Sequence, residues 1–140
     1  MDFLALHLDT IIFSILGFMG FLALWFSIER VLYFRQIKLE DFTSLDSLEE
    51  ALTKHLTALY IIYSNAPYIG LLGTVGGIIV TFYGMSLGGD INAKKIMADL
   101  SLALEATGAG LLVAIPVLMV YNMLLRKIDL ILNRYKAMQK

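Results

Sequence analysis

Three polar residues stand inside long apolar stretches of this chain, and their types suit the movement of a proton: Thr74, Glu105 and Thr107. A threonine hydroxyl both donates and accepts a hydrogen bond, so two of them can pass a proton along. An ionised carboxylate near the centre of a bilayer costs roughly 3 kcal/mol on insertion scales, so such an acid faces a cavity, finds a partner or stays protonated. Glu105 lies about one turn in from the end of its stretch, so snorkelling to the interface is a fourth outcome.

The surroundings of these residues are small. Gly70, Thr74, Gly77, Thr81, Gly84 and Gly88 recur at helical steps of four and three, and Ala103, Thr107, Gly110 and Ala114 form a matching stripe, with Ser101, Glu105 and Gly108 on an adjacent face. Glycine inside a helix costs roughly 1 kcal/mol relative to alanine, so this enrichment needs a reason. Two readings are open at this point: tight helix packing in lipid, or a polar pathway lined by both stripes. Other chemistry is poorly supplied. No cysteine is present and the two histidines, His7 and His55, are far apart, which gives no disulfide, thiolate metal site or thiol nucleophile. No metal, cofactor or covalent catalysis is expected. A net charge of −1 removes the global basic balance of a sequence-independent nucleic-acid binder.

The elements that must position these residues are membrane helices. Hydrophobic residues make up 59% of the 140 and charged ones only 16%, against about 25% charged in ordinary soluble domains. Uncharged runs, the third broken only by Glu105, predict an all-α integral membrane protein with three spans, at about residues 10–28, 66–89 and 100–125, each long enough for a core of about 30 Å. The first lacks a basic leader and a small-x-small site, so it reads as a retained span rather than a cleaved signal. It is bulky nearly all round, with Phe13, Phe18, Phe21, Trp25 and Phe26, which suits anchoring in lipid. Pro67 marks where the second span begins or bends, and Pro116 predicts a kink in the third.

Basic residues set the orientation. The N-terminal tail has none and the loop between the second and third spans has Lys94 and Lys95, whereas nine lie in the first loop and the tail. The N-terminus is therefore expected outside, in the periplasm, and the C-terminus in the cytoplasm. Residues 30–65 read as a cytoplasmic helical loop. Ser47-Leu48-Glu49-Glu50 has the form of a capping box, and Leu45, Leu48, Leu52, Leu56 and Leu59 continue at helical spacing. Residues 126–140 read as a helical tail continuing the third span, with Ile128, Ile131, Leu132 and Tyr135 on one side, and Arg126 and Lys127 placed for lipid headgroups. The whole, 1–140, reads as a single membrane domain.

Ala66-Pro67-Tyr68-Ile69-Gly70-Leu71-Leu72-Gly73-Thr74-Val75-Gly76-Gly77-Ile78, with the run Ala106 to Pro116 and Tyr121-Asn122, closely resembles the ExbB/TolQ/MotA proton-channel family over roughly residues 60 to 125. The modest length and the lack of a large cytoplasmic domain favour its ExbB and TolQ branches. The resemblance implies a bacterial inner-membrane homopentamer, lined by the second and third spans, around helices of an ExbD-like single-span partner that supplies a membrane Asp. Proton flow through that assembly would energise TonB and outer-membrane uptake. Thr74 and Thr107 match the family's pore-lining threonines, and Pro67 and Pro116 its recurrent prolines. The family's pore Glu falls at Leu102, three residues before Glu105. Competing readings are a TolQ-like subunit of an envelope system, a small carrier coupled through Glu105, and a non-conducting scaffold; none of these is an enzyme.

Overall fold

The computed structural model describes residues 2–88 and 92–139, and its described residues are helical or in short connections. Helix α1 runs Asp2–Gln36, a 3-10 turn follows at Leu39–Asp41, and the remaining helices are α2 (Leu45–Leu52), α3 (Leu56–Ser86) and α4 (Ala93–Met138). Three of these, α1, α3 and α4, are long and apolar enough to cross a membrane. All three begin before the expected spans, and α1 and α4 also end beyond them. Charged residues such as Asp9, Glu29 and Arg35 lie within α1 because a helix satisfies its backbone internally and charge ends only the lipid crossing. Helix α3 starts ten residues before the expected span and closes at Ser86; the expected terminal Gly89 lies outside the described residues, as do Met1 and Lys140. At 46 residues α4 is about 69 Å long, more than twice the hydrocarbon thickness, and it carries the tail as one continuous helix. Neither Pro67 nor Pro116 ends its helix.

Two details of the first loop differ from the sequence reading. The cap is Ser44, not Ser47: its Oγ accepts the Ser47 N–H at 3.1 Å. The leucine stripe is also not one helix. It breaks at Thr53–His55, where His55 adopts a left-handed φ of 70° and stacks on Phe26 with ring centroids 4.5 Å apart. Leu48, Leu52, Leu56 and Leu59 are nevertheless all buried, because periodicity records which side chains face the core rather than whether the backbone is unbroken.

Burial falls into two clusters. One joins Phe34, Leu48, Leu52, Leu59 and Ile62 to Leu124, Ile128, Ile131 and Tyr135, at the end where α1 finishes and α3 begins. There the Tyr135 hydroxyl donates to the Phe42 carbonyl at 3.1 Å. The other, farther along the helices, joins Ile12 and Leu16 to Ala66, Ala106 and Ala114. Helix α1 is therefore not lipid-facing all round: Ile12, Leu16, Ala23, Arg30 and Phe34 form a buried stripe, while Phe18, Phe21 and Trp25 remain exposed.

Candidate functional site: the contact between two helices

The small residues of α3 and α4 bring the two backbones together. A Cβ added to Gly70 would sit 2.4 Å from the Ala106 carbonyl oxygen, and one added to Gly110 would sit 2.5 Å from the Ala66 oxygen and 3.2 Å from the Gly70 Cα. A Cβ added to Gly77 would sit 2.7 Å from the Ala103 methyl, and one added to Gly73 would press on Ala106 and Ile12. No side chain larger than hydrogen fits at Gly70 or Gly110 without moving backbone, which is how helices approach in lipid without a hydrophobic driving force.

Thr74 and Thr107 face each other inside this contact, their hydroxyls hydrogen-bonded. Thr74 Oγ also lies 2.7 Å from the Ala103 carbonyl and 3.4 Å from that of Gly70. A hydroxyl has one proton to give. With the Thr74 proton directed to Ala103, Thr74 accepts from Thr107, and the arrangement is a short directional chain from Thr107 to Thr74 to a carbonyl. Thr74 is buried and Thr107 half-buried, so the chain begins at the edge of the contact and ends inside it. Such a chain can hold a proton or a water at the seam; it supplies no charge of its own.

Thr81, two turns along α3, donates to the Gly77 carbonyl at 2.8 Å and lines a small polar cavity shared with Asp9, Lys95, Asp99 and Leu102. Lys95 pairs with Asp99 at 3.0 Å. Ala103 and Ala114 are buried. Gly84 is exposed with nothing within 4 Å of its Cβ position among the described residues of the chain. Glu105 is exposed and has no hydrogen bond or ion pair among the described residues. Two positions before Thr107, it lies about 200° round α4, so the structure does not bring it to the threonine pair. Arg126 and Lys127 are exposed. Among the described residues no group of His, Asp and Glu could hold a metal.

Sequence reasoning counted Arg30 only as a loop charge. It is 1% exposed. Its Nη1 donates to the Ala51 and Leu52 carbonyls at 2.7 and 3.2 Å, Nε and Nη2 hold both oxygens of Glu29 at 2.6 and 2.7 Å, and the guanidinium lies 4.5 Å from the Tyr33 ring centroid. The last carbonyls of α2 are thereby capped from α1. A signal existed: Leu16, Ala23 and Arg30 are spaced by seven, so Arg30 continues the buried stripe. A second missed feature, the cluster of Tyr60, Tyr63 and Tyr121 rings with centroids 5.1–6.1 Å apart, has no comparable sequence signature.

The sequence profile of the MotA/TolQ/ExbB proton channel family matches residues 35–137. The chain is 52% identical over 133 residues to the biopolymer transport protein ExbB of Helicobacter pylori strain J99, covering 95% of this chain and 92% of that one. It is 50% identical over 121 residues to the ExbB of Aquifex aeolicus, covering 86% and 82%. Likeness to the Tol-Pal system protein TolQ of Pseudomonas aeruginosa is 34% over 87 residues, 62% of this chain and 38% of TolQ.

Proposed function

We infer the function of this chain from its family: it belongs to the MotA/TolQ/ExbB proton channel family and is a multi-pass membrane protein with three spanning helices. The chain acts as the ExbB-like subunit of an inner-membrane machine that uses the proton gradient to energise TonB-dependent transport across an outer membrane. It does so as one membrane domain, in a homopentamer that holds an ExbD-like single-span partner. The observation that carries this reading is the Thr107–Thr74–Ala103 hydrogen-bond chain, set into the closest approach of α3 and α4. In a bilayer such hydroxyls are able to support water and a moving proton within a contact otherwise made of small apolar groups.

The N-terminus and the α3–α4 turn lie in the periplasm, and the Arg30 end of α1, α2 and the α4 tail in the cytoplasm, as the basic residues require. Arg126 and Lys127 then reach the inner headgroups. Glu105 enters the proton pathway through another chain rather than through the threonine pair, because its own helix turns it away from Thr107. Pro67 and Pro116 each leave a preceding carbonyl without its helical N–H donor, which allows α3 and α4 to bend there. A TolQ-like role in envelope maintenance is the second reading, supported by the TolQ likeness; the shorter coverage of that relative favours the ExbB-like one.

Proton flux into vesicles holding this chain and an ExbD-like partner tests the reading. Thr74→Val keeps the shape and removes the hydroxyl, so flux should be lost while Thr74→Ser retains it. Full flux through the valine variant would refute the assignment.

A further inference from the structure

Helix α1 brings an acid close to the level of the threonine pair. A Cβ added to Gly76 would sit 2.7 Å from Leu8 Cδ2, and one added to Gly73 would sit 3.0 Å from Ile12 Cγ2, so α1 and α3 run antiparallel with Leu8 level with Gly76. Asp9, the next residue, lies at about the same depth. Counted along α3 at about 1.5 Å per residue, that is about 3 Å from the level of Thr74 and about 15 Å in from the end of the helix at Ser86.

At this depth Asp9 lines the polar cavity between the three long helices. The cavity measures about 150 Å³, room for several waters, and its other polar side chains are Thr81 from α3 and Lys95 and Asp99 from α4. Lys95 is committed to Asp99 at 3.0 Å and α3 contains no charged residue, so Asp9 has no hydrogen bond or ion pair among the described residues. A half-buried carboxylate without a partner is either hydrated or takes up a proton. Thr81 is 9% exposed and gives its one proton to the Gly77 carbonyl, which leaves its oxygen lone pairs to accept from a water in the cavity. Asp9 and Asp99 against Lys95 leave one net negative charge there, which favours a cation such as hydronium over an anion.

The floor of this cavity adjoins the threonine chain. Gly77 and Leu102 line it; Gly77 lies one turn from Thr74, and Leu102 precedes Ala103, whose carbonyl ends the chain. The Gly77–Ala103 contact is what stands between cavity water and that carbonyl.

We propose that the cavity is a hydrated, proton-binding vestibule open to the outer side of the membrane, in which Asp9 takes up a proton and passes it to water held against Thr81. Hydronium delivers the proton to the carboxylate and leaves as neutral water; transfer from the carboxylic acid to a second water restores the carboxylate, so charge balances at each step. The inference rests on the proton-channel reading above and deepens it: α1, an anchor by its bulk, also supplies a proton-loading site.

Because the chain has no cysteine, single thiols report access to the cavity. In oriented vesicles holding the full-length chain with an ExbD-like partner, Thr81→Cys should react with a membrane-impermeant cationic methanethiosulfonate added on the side of the N-terminus. Leu16→Cys, buried among apolar side chains, should not react. Asp9→Asn should lose most of the proton flux and Asp9→Glu should regain most of it, with the same oligomer by native mass spectrometry; the amide keeps the shape of the acid, so this rescue reports proton binding rather than packing. An unreactive Thr81→Cys, or one that reacts only from the C-terminal side, overturns the vestibule. Full flux through Asp9→Asn, or loss in both Asp9 variants, overturns the role of Asp9. In each of these cases flux through the unmodified assembly leaves the proposed function standing, whereas no flux through that assembly overturns both.

Discussion

Gly110→Ala should separate α3 from α4, and the effect can be worked from the geometry. The new methyl would lie 2.5 Å from the Ala66 carbonyl oxygen, whereas a carbon rests about 3.3 Å or more from such an oxygen, so the helices must part by about 0.8 Å there. Both obstacles, Ala66 O and Gly70 Cα, are backbone, and no rotamer change relieves them. Overpacking of this kind costs about 1–3 kcal/mol, offset by about 1 kcal/mol of better helix propensity. Gly84→Ala has the propensity gain alone, since its Cβ position is open. The Gly110 variant should therefore be less stable than the Gly84 variant by about 1–3 kcal/mol in thermal unfolding followed by circular dichroism in mild detergent. Separation at Gly110 should also stretch the 2.7 Å bond from Thr74 to Ala103, about two turns away, and lower proton flux. A Gly110→Ala protein as stable and as conductive as Gly84→Ala would refute the packing argument.

Arg30→Met leaves the Ala51 and Leu52 carbonyls and Glu29 without their guanidinium, which should cost about 3 kcal/mol and speed proteolysis across residues 43–55; unaltered resistance would contradict the cap. Arg30→Lys should recover little, because an ammonium cannot serve a planar carboxylate and two carbonyls at once. Glu105→Gln should lower gradient-dependent activity with the oligomer intact, and normal activity would remove Glu105 from the pathway. Tyr135→Phe deletes the bond to Phe42 and should cost about 1 kcal/mol, read as faster amide exchange over residues 39–44; unchanged exchange would show that the bond contributes nothing.

The long helices were legible because apolar runs and the four-and-three spacing of Gly70, Thr74 and Gly77 are direct imprints of lipid and of helix geometry. Their ends were not. Charge marks where a helix leaves hydrocarbon, and Glu29, Arg30 and Arg35 ride on past that point within α1. The break at His55 was hidden since buried leucines keep their period across it, and Ser47 looked like a cap because Glu50 follows it three residues on, although Ser44, one turn earlier, has the same chemistry and is the cap. The Thr74–Thr107 contact could be suspected from matching stripes, but its direction depends on the Ala103 carbonyl, a backbone atom no sequence motif names. Glu105 stood out as the acid of its span, yet only the angular position of Thr107 against α3 shows that it faces away.

The most direct test of the account is native mass spectrometry of the chain alone in mild detergent and then co-expressed with an ExbD-like partner. A pentamer that gains partner chains is the predicted result. A monomer or dimer that never binds such a partner would contradict the ExbB-like reading at its root.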